Sequence, residues 1–308
     1  MRAGRLAPMA ACRLAQRELA RRDARVFVLD ADPAAAEGLA FAVEFPGRHV
    51  AWTGAAASLI GAAGGLALAG KVPLVNLRST FSLIRACEQV RLDLCYHHAD
   101  VKLFAPLDGV IEDLAVARSL PQLTVLAPAD AAAAYEATLA AAAHPGPVYL
   151  RLPPGDAPPV YEADGGALHG FAIGRGLVLR EGSDLTLVAA GAVVAEALAA
   201  AELLQRDGLD ARVLDMSTIK PIDRELLRRA AGETGRIVTV EEHPVRGGLG
   251  GAVAEALGDE HPVPLCILGL PDGGYGAQGP RAELLGRCGL DAAGIAAAAR
   301  RMLEWRAA

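Results

Sequence analysis

WTGAAASLIGAAGGLALAGKVP, residues 52–73, runs from the end of a short strand through a turn into a helix of small residues, and Gly70-Lys71 then opens the next strand. Alanine at this density favours helix while adding almost no side-chain bulk. Between Thr53 and Gly70 there is no acid, base, amide or thiol, and only Ser58 carries a polar side chain. The layout is that of a cofactor-site helix. A site built on it has either lost its chemistry or takes it from elsewhere.

Outward from this stretch, apolar runs of strand length alternate with helix-length segments: Val26–Leu29, with a turn at Ala31-Asp32-Pro33, then Val72–Asn76, Val101–Phe104, Thr124–Leu126 and Val148–Leu150. This is the rhythm of a parallel sheet with helices on both faces. Pro153-Pro154-Gly155-Asp156 and Pro158-Pro159 open a Pro/Gly-rich passage running to about Gly176, the expected linker. Beyond it, Leu185–Val188, Ala211–Leu214, Ile237–Val240 and Leu265–Leu268 read as strands. Helices are expected over Ala192–Asp207, Asp223–Ala231, Gly247–Leu257 and Asp291–Trp305. Asp223 suits an N-cap, and Glu225 in the following turn suits the helix dipole. The expected fold class is α/β, with two mainly parallel sheets in two domains: 1–155, a linker over 156–174, and 175–308.

At 308 residues the chain is long enough for one large or two medium cores. Its 53% hydrophobic content comes mainly from alanine, which indicates a helix-rich protein more than a greasy one. No apolar run reaches membrane-spanning length without glycine, proline or charge. Arg13, Arg17, Arg21 and Arg22 alternate with Leu and Ala at helical spacing, which fits an amphipathic first helix better than a signal peptide. A net charge of -6 with interspersed signs argues against a nucleic-acid surface. Five cysteines with no CxxC pair imply a reducing cytoplasm, without a zinc site or a disulfide framework.

The segment TVEEHPVRGGLGGAVAEAL (Thr239–Leu257) delivers Glu241-Glu242-His243 at the carboxyl end of a buried strand, where ligands sit in such sheets. Gly247, Gly248, Gly250 and Gly251 then let the backbone turn into a helix. A phosphate cradle, a metal pair and an acid–base pair are the functional readings. As a dinucleotide fingerprint GGLGG is weak, because it follows a loop and no later acid fits the ribose contact. Adjacent Glu241 and Glu242 point to opposite faces and cannot easily share one ion. A structural or subunit-contact role is therefore expected.

His97-His98 before Asp100 lacks the spacing that puts two ligands on one helix face, so a solvated loop is expected. Arg85, Glu88 and Arg91 lie at helical spacing, either as an exposed ion-pair ladder or as site residues. Phe81 follows Arg78-Ser79-Thr80 directly after a strand, at the carboxyl-end rim of the sheet. An aromatic there can stack on a planar ligand or fill the core.

The order of these motifs resembles the C-terminal half of the transketolase family, its pyrimidine-binding domain followed by its C-terminal domain. VLDADPAAA (Val28–Ala36), GAAGGLALAGKVP (Gly61–Pro73), STFSLIRACEQVR (Ser79–Arg91), LPQLTVLAPAD (Leu120–Asp130) and GPVYLRL (Gly146–Leu152) are similar to successive motifs of the first. MSTIKPID (Met216–Asp223), VTVEEHPVRGGLGGAVAE (Val238–Glu255) and DGGYGAQGPRAELLGRCGL (Asp272–Leu290) are similar to the second. The β subunits of 2-oxoacid dehydrogenases share this architecture and are the rival resemblance. Nothing in the chain resembles the family's GDG…N metal–diphosphate motif. The resemblance therefore implies a separately encoded N-terminal-half partner, a homodimer core within a heterotetramer, and thiamine diphosphate with Mg²⁺ held between the subunits.

Carried over residue by residue, the resemblance makes Phe81 the aromatic that stacks on the aminopyrimidine and Asp32 an acid near the cofactor. The family's essential glutamate, which bonds the pyrimidine and drives deprotonation of the thiazolium C2, aligns with Ala56, and Ala57 replaces the adjacent Gln. Alanine cannot exchange a proton. The family's GEDGxxHQ-like substrate loop is also absent, since Leu107-Asp108-Gly109 leads straight into VIEDLAVARSLP. Two readings follow: a subunit for two-carbon ketol transfer that is inactive alone, or a non-catalytic pseudo-subunit that scaffolds or regulates its partner. No residue of this chain is expected to act as a catalytic acid or a metal ligand.

Overall fold

The computed structural model describes residues 6–31, 36–109, 111–155, 157–161, 171–273 and 278–304. The contacts divide the chain into two units, Met1–Ile173 and Gly174–Ala308.

In the first unit, α1 (Pro8–Arg22) leads to β1 (Val26–Asp30), α2 (Ala36–Glu44), β2 (His49–Ala51), α3 (Ala56–Leu68) and β3 (Val72–Asn76). The short helices α4 (Phe81–Arg85) and α5 (Cys87–Gln89) continue into a π-helical stretch, Val90–Tyr96. Then come β4 (Lys102–Pro106), α6 (Asp113–Ser119), β5 (Thr124–Leu126), α7 (Ala131–Ala143) and β6 (Val148–Leu152). These strands are ordered β5-β6-β4-β3-β1-β2, and neighbours pair in parallel. β3 and β6 are buried at every position, as central parallel strands covered on both faces must be. The core joins Val28, Phe41, Leu74, Phe104, Leu126 and Leu150.

At the amino end of this sheet the fully buried Lys102 places its ammonium 2.6 Å from Asp100 Oδ1 and from the carbonyls of His144 and Gly146. Asp130 caps α7, taking the Ala133 N–H on one carboxylate oxygen and the N–H groups of Val160 and Tyr161 on the other. Of the expected linker, the described residues 157–161 and 171–173 thus lie with the first unit, where Phe171 and Ile173 pack against its core.

The second unit comprises β7 (Leu177–Arg180), β8 (Leu185–Ala190), α8 (Val194–Arg206), β9 (Ala211–Asp215), β10 (Thr218–Lys220) and α9 (Arg224–Thr234). It continues through β11 (Ile237–Pro244), α10 (Leu249–Leu257), β12 (Leu265–Leu270), α11 (Arg281–Arg287) and α12 (Ala292–Glu304). Its sheet runs β12-β11-β8-β9-β7, parallel except for β7 against β9. Asp223 caps α9 by accepting the Leu226 N–H at 3.0 Å, and Gly235 ends it with φ +67°.

Several boundaries differ from the sequence reading. β11 runs to Pro244, so Glu241, Glu242 and His243 lie within the strand, and α10 starts at Leu249 instead of Gly247. The apolar period also missed β7 and β10, which are short. FSLIRACEQVRLDL reads as one helix, but the backbone leaves helical geometry at Ala86 (φ -113°, ψ 22°) and then winds as π-helix. That break removes the i, i+3 register, and Arg85, Glu88 and Arg91 form no ion-pair ladder among the described residues. His97 and His98 are exposed, as a solvated loop requires.

Candidate functional site

The small-residue helix has a packing reason. A Cβ on Gly64 would stand 3.3 Å from the Asp93 carbonyl, and one on Gly61 would stand 3.4 Å from the Asp93 carboxylate. The Gly64 contact is with backbone and is tight, so glycine there lets α3 approach the π-helical stretch closely, whereas the Gly61 distance is ordinary van der Waals contact. The other face buries Leu59, Ile60 and Ala63. Close packing thus accounts for Gly64, while Gly65 is exposed with open space around it.

Ala56 is the first residue of α3 and is half-buried. No side chain caps this helix end, because the N-cap residue is Ala55; the Ser58 hydroxyl donates to its carbonyl at 2.9 Å. Beside it, the Trp52 indole nitrogen is sealed from solvent without a hydrogen-bond partner among the described residues. Phe81 opens α4 with 44% of its surface exposed, and the Arg85 guanidinium lies 5.6 Å from its ring centroid. Its ring is therefore presented at the rim and is not core. Asp32, the other expected site residue, lies outside the described residues.

Beneath this rim is a buried polar layer that the sequence did not reveal. Asp30, at the end of β1, pairs with Arg13 at 3.0 Å and accepts the Asn76 amide at 2.7 Å. His49 Nε2 lies 2.7 Å from its other oxygen, and Gln16 donates to Asn76 at 2.8 Å. The layer ties α1, β1, β2 and β3 together two residues before Asp32. The sole signal for it was an acid at the end of an apolar run.

A second group comes from the β4–α6 connection. The Ser79 and Thr80 side chains hydrogen-bond Asp108, whose carboxyl is nonetheless pushed up by desolvation. An acid is therefore anchored to the two residues that precede Phe81. Deeper in, Asp113 accepts the Tyr149 hydroxyl at 2.7 Å and sits beside Arg151; burial pushes its carboxyl up.

In the second unit the conspicuous acids are engaged in structure. Glu241 accepts the N–H groups of Leu249 and Gly250 at 2.5 and 2.8 Å, which caps α10. A Cβ on Gly248 would collide with the Glu241 carboxylate and the His243 ring, so glycine is required there. Glu242 binds Arg281 on the opposite face, with bonds of 3.1 and 2.8 Å. Among the described residues no group of three or more His, Cys, Asp or Glu is placed to hold a metal ion. No helix among them is long and apolar enough to cross a membrane.

Two parallel-sheet units, with an open rim on the first and a glycine-led helix cap on the second, place the chain among α/β proteins of the thiamine-enzyme architecture. It belongs to the transketolase family, matching the transketolase pyrimidine binding domain over residues 5–159 and the transketolase C-terminal domain over 174–295. It is 38% identical to the 6-deoxy-6-sulfo-D-fructose transketolase subunit SqwH of Clostridium sp. (strain MSTE9), over 93% of this chain and 91% of the relative. It is 39% identical to an apulose-4-phosphate transketolase subunit of Phocaeicola vulgatus, over 90% of this chain and 91% of the relative. A solved structure described as a split gene transketolase, inactive beta4 tetramer, superposes with a TM-score of 0.90 at 41% identity, covering 97% of this chain and 98% of that one. The chain thus corresponds to the C-terminal half of a transketolase, as a split subunit does.

Proposed function

We propose that this chain supplies the pyrimidine half of a thiamine diphosphate site to a separately encoded N-terminal-half subunit, in a complex for two-carbon ketol transfer. The domain limits are 1–155 and 175–308, and the assembly is a heterotetramer built on a dimer of these chains. The observation that carries the reading is Phe81, an aromatic held out at the carboxyl-end rim instead of packed in the core. Its exposed ring fits a stacked heterocycle, and Asp32, two residues after the end of β1 in the sequence, is the proposed acid near the cofactor. The metal and diphosphate fall to the partner, and the similarity to split transketolase subunits supports that division.

When bound, thiamine diphosphate supplies a thiazolium carbon that stabilises a carbanion. Phe81 orients the pyrimidine, and the buried Asp30 layer keeps the ends of β1 and β3 in register beneath it. At Ala56 this chain holds no group that moves a proton. General acid–base help of that kind is worth roughly 10²–10⁴-fold. That loss and the shortened β4–α6 connection favour the second reading, a non-catalytic subunit that scaffolds its partner. A 2-oxoacid dehydrogenase E1 β-like role is a further alternative on the same architecture.

The test is co-expression with the N-terminal-half chain, calorimetric titration with thiamine diphosphate and Mg²⁺, and measurement of C2 proton exchange. Tight binding with exchange supports ketol transfer and rejects the scaffold. Binding without exchange, restored by Ala56→Glu, identifies an intact site that lacks its relay. No binding in either protein rejects the cofactor site.

A further inference from the structure

An open cavity of about 310 Å³ lies in the second unit between the start of β12 and the last turns of α12. Pro264, Leu265, Cys266, Ala298, Arg301 and Met302 line it. β12 is the end strand of its sheet, and five of its six residues are only half-buried, because β11 covers one flank and leaves the other open. The volume is at the small end of ligand sites. At about 30 Å³ for each water-sized share, it holds roughly ten heavy atoms.

Among the described residues, the side chains of the wall are apolar apart from one thiol and one cation. Arg300 and Arg301 are neighbours on α12 with different fates. Arg300 is held by Asp207, with its Nε 2.9 Å from the carboxylate, whereas Arg301 has no acidic partner among the described residues and lines the cavity instead. Its charge reaches the Cys266 thiol, which burial otherwise pushes up. A solvent-exposed guanidinium with no acidic partner among the described residues, set beside an apolar hollow, matches a ligand with a hydrocarbon body and one anionic end, because arginine binds a carboxylate through two parallel hydrogen bonds.

We propose that this cavity binds a medium-chain monocarboxylate of about ten heavy atoms, its body against Leu265, Ala298 and Met302 and its carboxylate on Arg301.

Cys266 makes the proposal measurable, because a bound ligand shields the thiol. The full-length chain is alkylated with iodoacetamide in octanoate, in uncharged octanol, or in neither, and each cysteine is followed by peptide mass mapping. The expected result is alkylation of Cys266 slowed roughly fivefold at about four times the octanoate Kd, with calorimetric heat to match. Cys87 and Cys288 should react at unchanged rates, which excludes general stabilisation. Arg301→Gln should abolish the protection and Arg301→Lys should retain part of it; both changes fall at an exposed residue and leave the fold intact. Equal protection by octanol, or undiminished protection of Arg301→Gln, would overturn the carboxylate site. So would the absence of both protection and heat with octanoate.

Discussion

The two sheets finish their carboxyl ends in opposite ways. In the second unit the rim is closed: Glu241 caps α10, Glu242 binds Arg281, and Gly248 admits no side chain. In the first unit the rim is open: α3 starts uncapped at Ala56, Phe81 is exposed, and Asp108 is tethered through the Ser79 and Thr80 side chains. The residues that look most chemical in the sequence hold structure, while a stretch of alanine and glycine begins at the open rim. Chemistry-bearing residue types identify a site only when their hydrogen-bonding capacity is not already spent.

The sharpest way to break this comparison is to remove the layer on which the open rim stands. Asp30→Ala would leave Arg13 buried without its counter-charge and strip an acceptor from Asn76 and His49. The expected loss is about 3–5 kcal/mol of unfolding free energy, the range for breaking a buried ion pair. Urea denaturation measures it. A loss below about 1 kcal/mol would mean that water replaces the layer without strain.

Glu241→Ala should cost somewhat less, about 2–4 kcal/mol, because two amide donors lose a charged acceptor. Hydrogen exchange should show the effect first at Leu249 and Gly250. If stability is unchanged while activity in the complex collapses, Glu241 belongs to a site and the closed-rim description fails.

Phe81→Ala should leave the chain within about 0.5 kcal/mol of the parent, as expected for a side chain nearly half exposed. In the complex it should weaken thiamine diphosphate by roughly tenfold, since one aromatic stacking contact is worth about 0.5–1.5 kcal/mol. A large stability loss with unchanged cofactor affinity would return Phe81 to the core.

The difference between the rims also explains what could be read from sequence. β3 is a continuous apolar run of a fully buried strand, and its limits, Val72–Asn76, agree with the reading of the residues. Asp223 announced its helix because capping is a local matter. The Gln16–Asn76 bond instead joins residues 60 apart in the chain, and no local pattern predicts it. Asp108 meets Ser79 and Thr80 because β3 and β4 are neighbours in the sheet, which joins residues 28 apart in the chain. The break at Ala86 was hidden because the i, i+3 spacing of the flanking residues imitates one helix.

The smallest effect is expected at the opposite end of the first sheet, away from both rims. Burial pulls His144 below the ordinary histidine pKa of 6.5, and the positive charges of Lys102 and His98 add to that, against Asp100. A folded-state pKa below the unfolded value means that the unfolded chain binds the extra proton first. The stability from this group is therefore fully present above pH 6.5 and is lost as pH falls through the lower folded-state value. Burial pulls the Lys102 pKa down, against which the Asp100 carboxylate favours the ammonium, and the charge of that ammonium repels a protonated His144 ring. His144→Gln should flatten the fall in stability between neutral and mildly acidic pH, read as urea midpoints at matched ionic strength. His144 is only partly shielded, so solvent screening should keep the change modest. If the slope persists unchanged in His144→Gln, the acid sensitivity of this unit arises elsewhere, and the amino end of the sheet is held by Lys102 without any contribution from the imidazole.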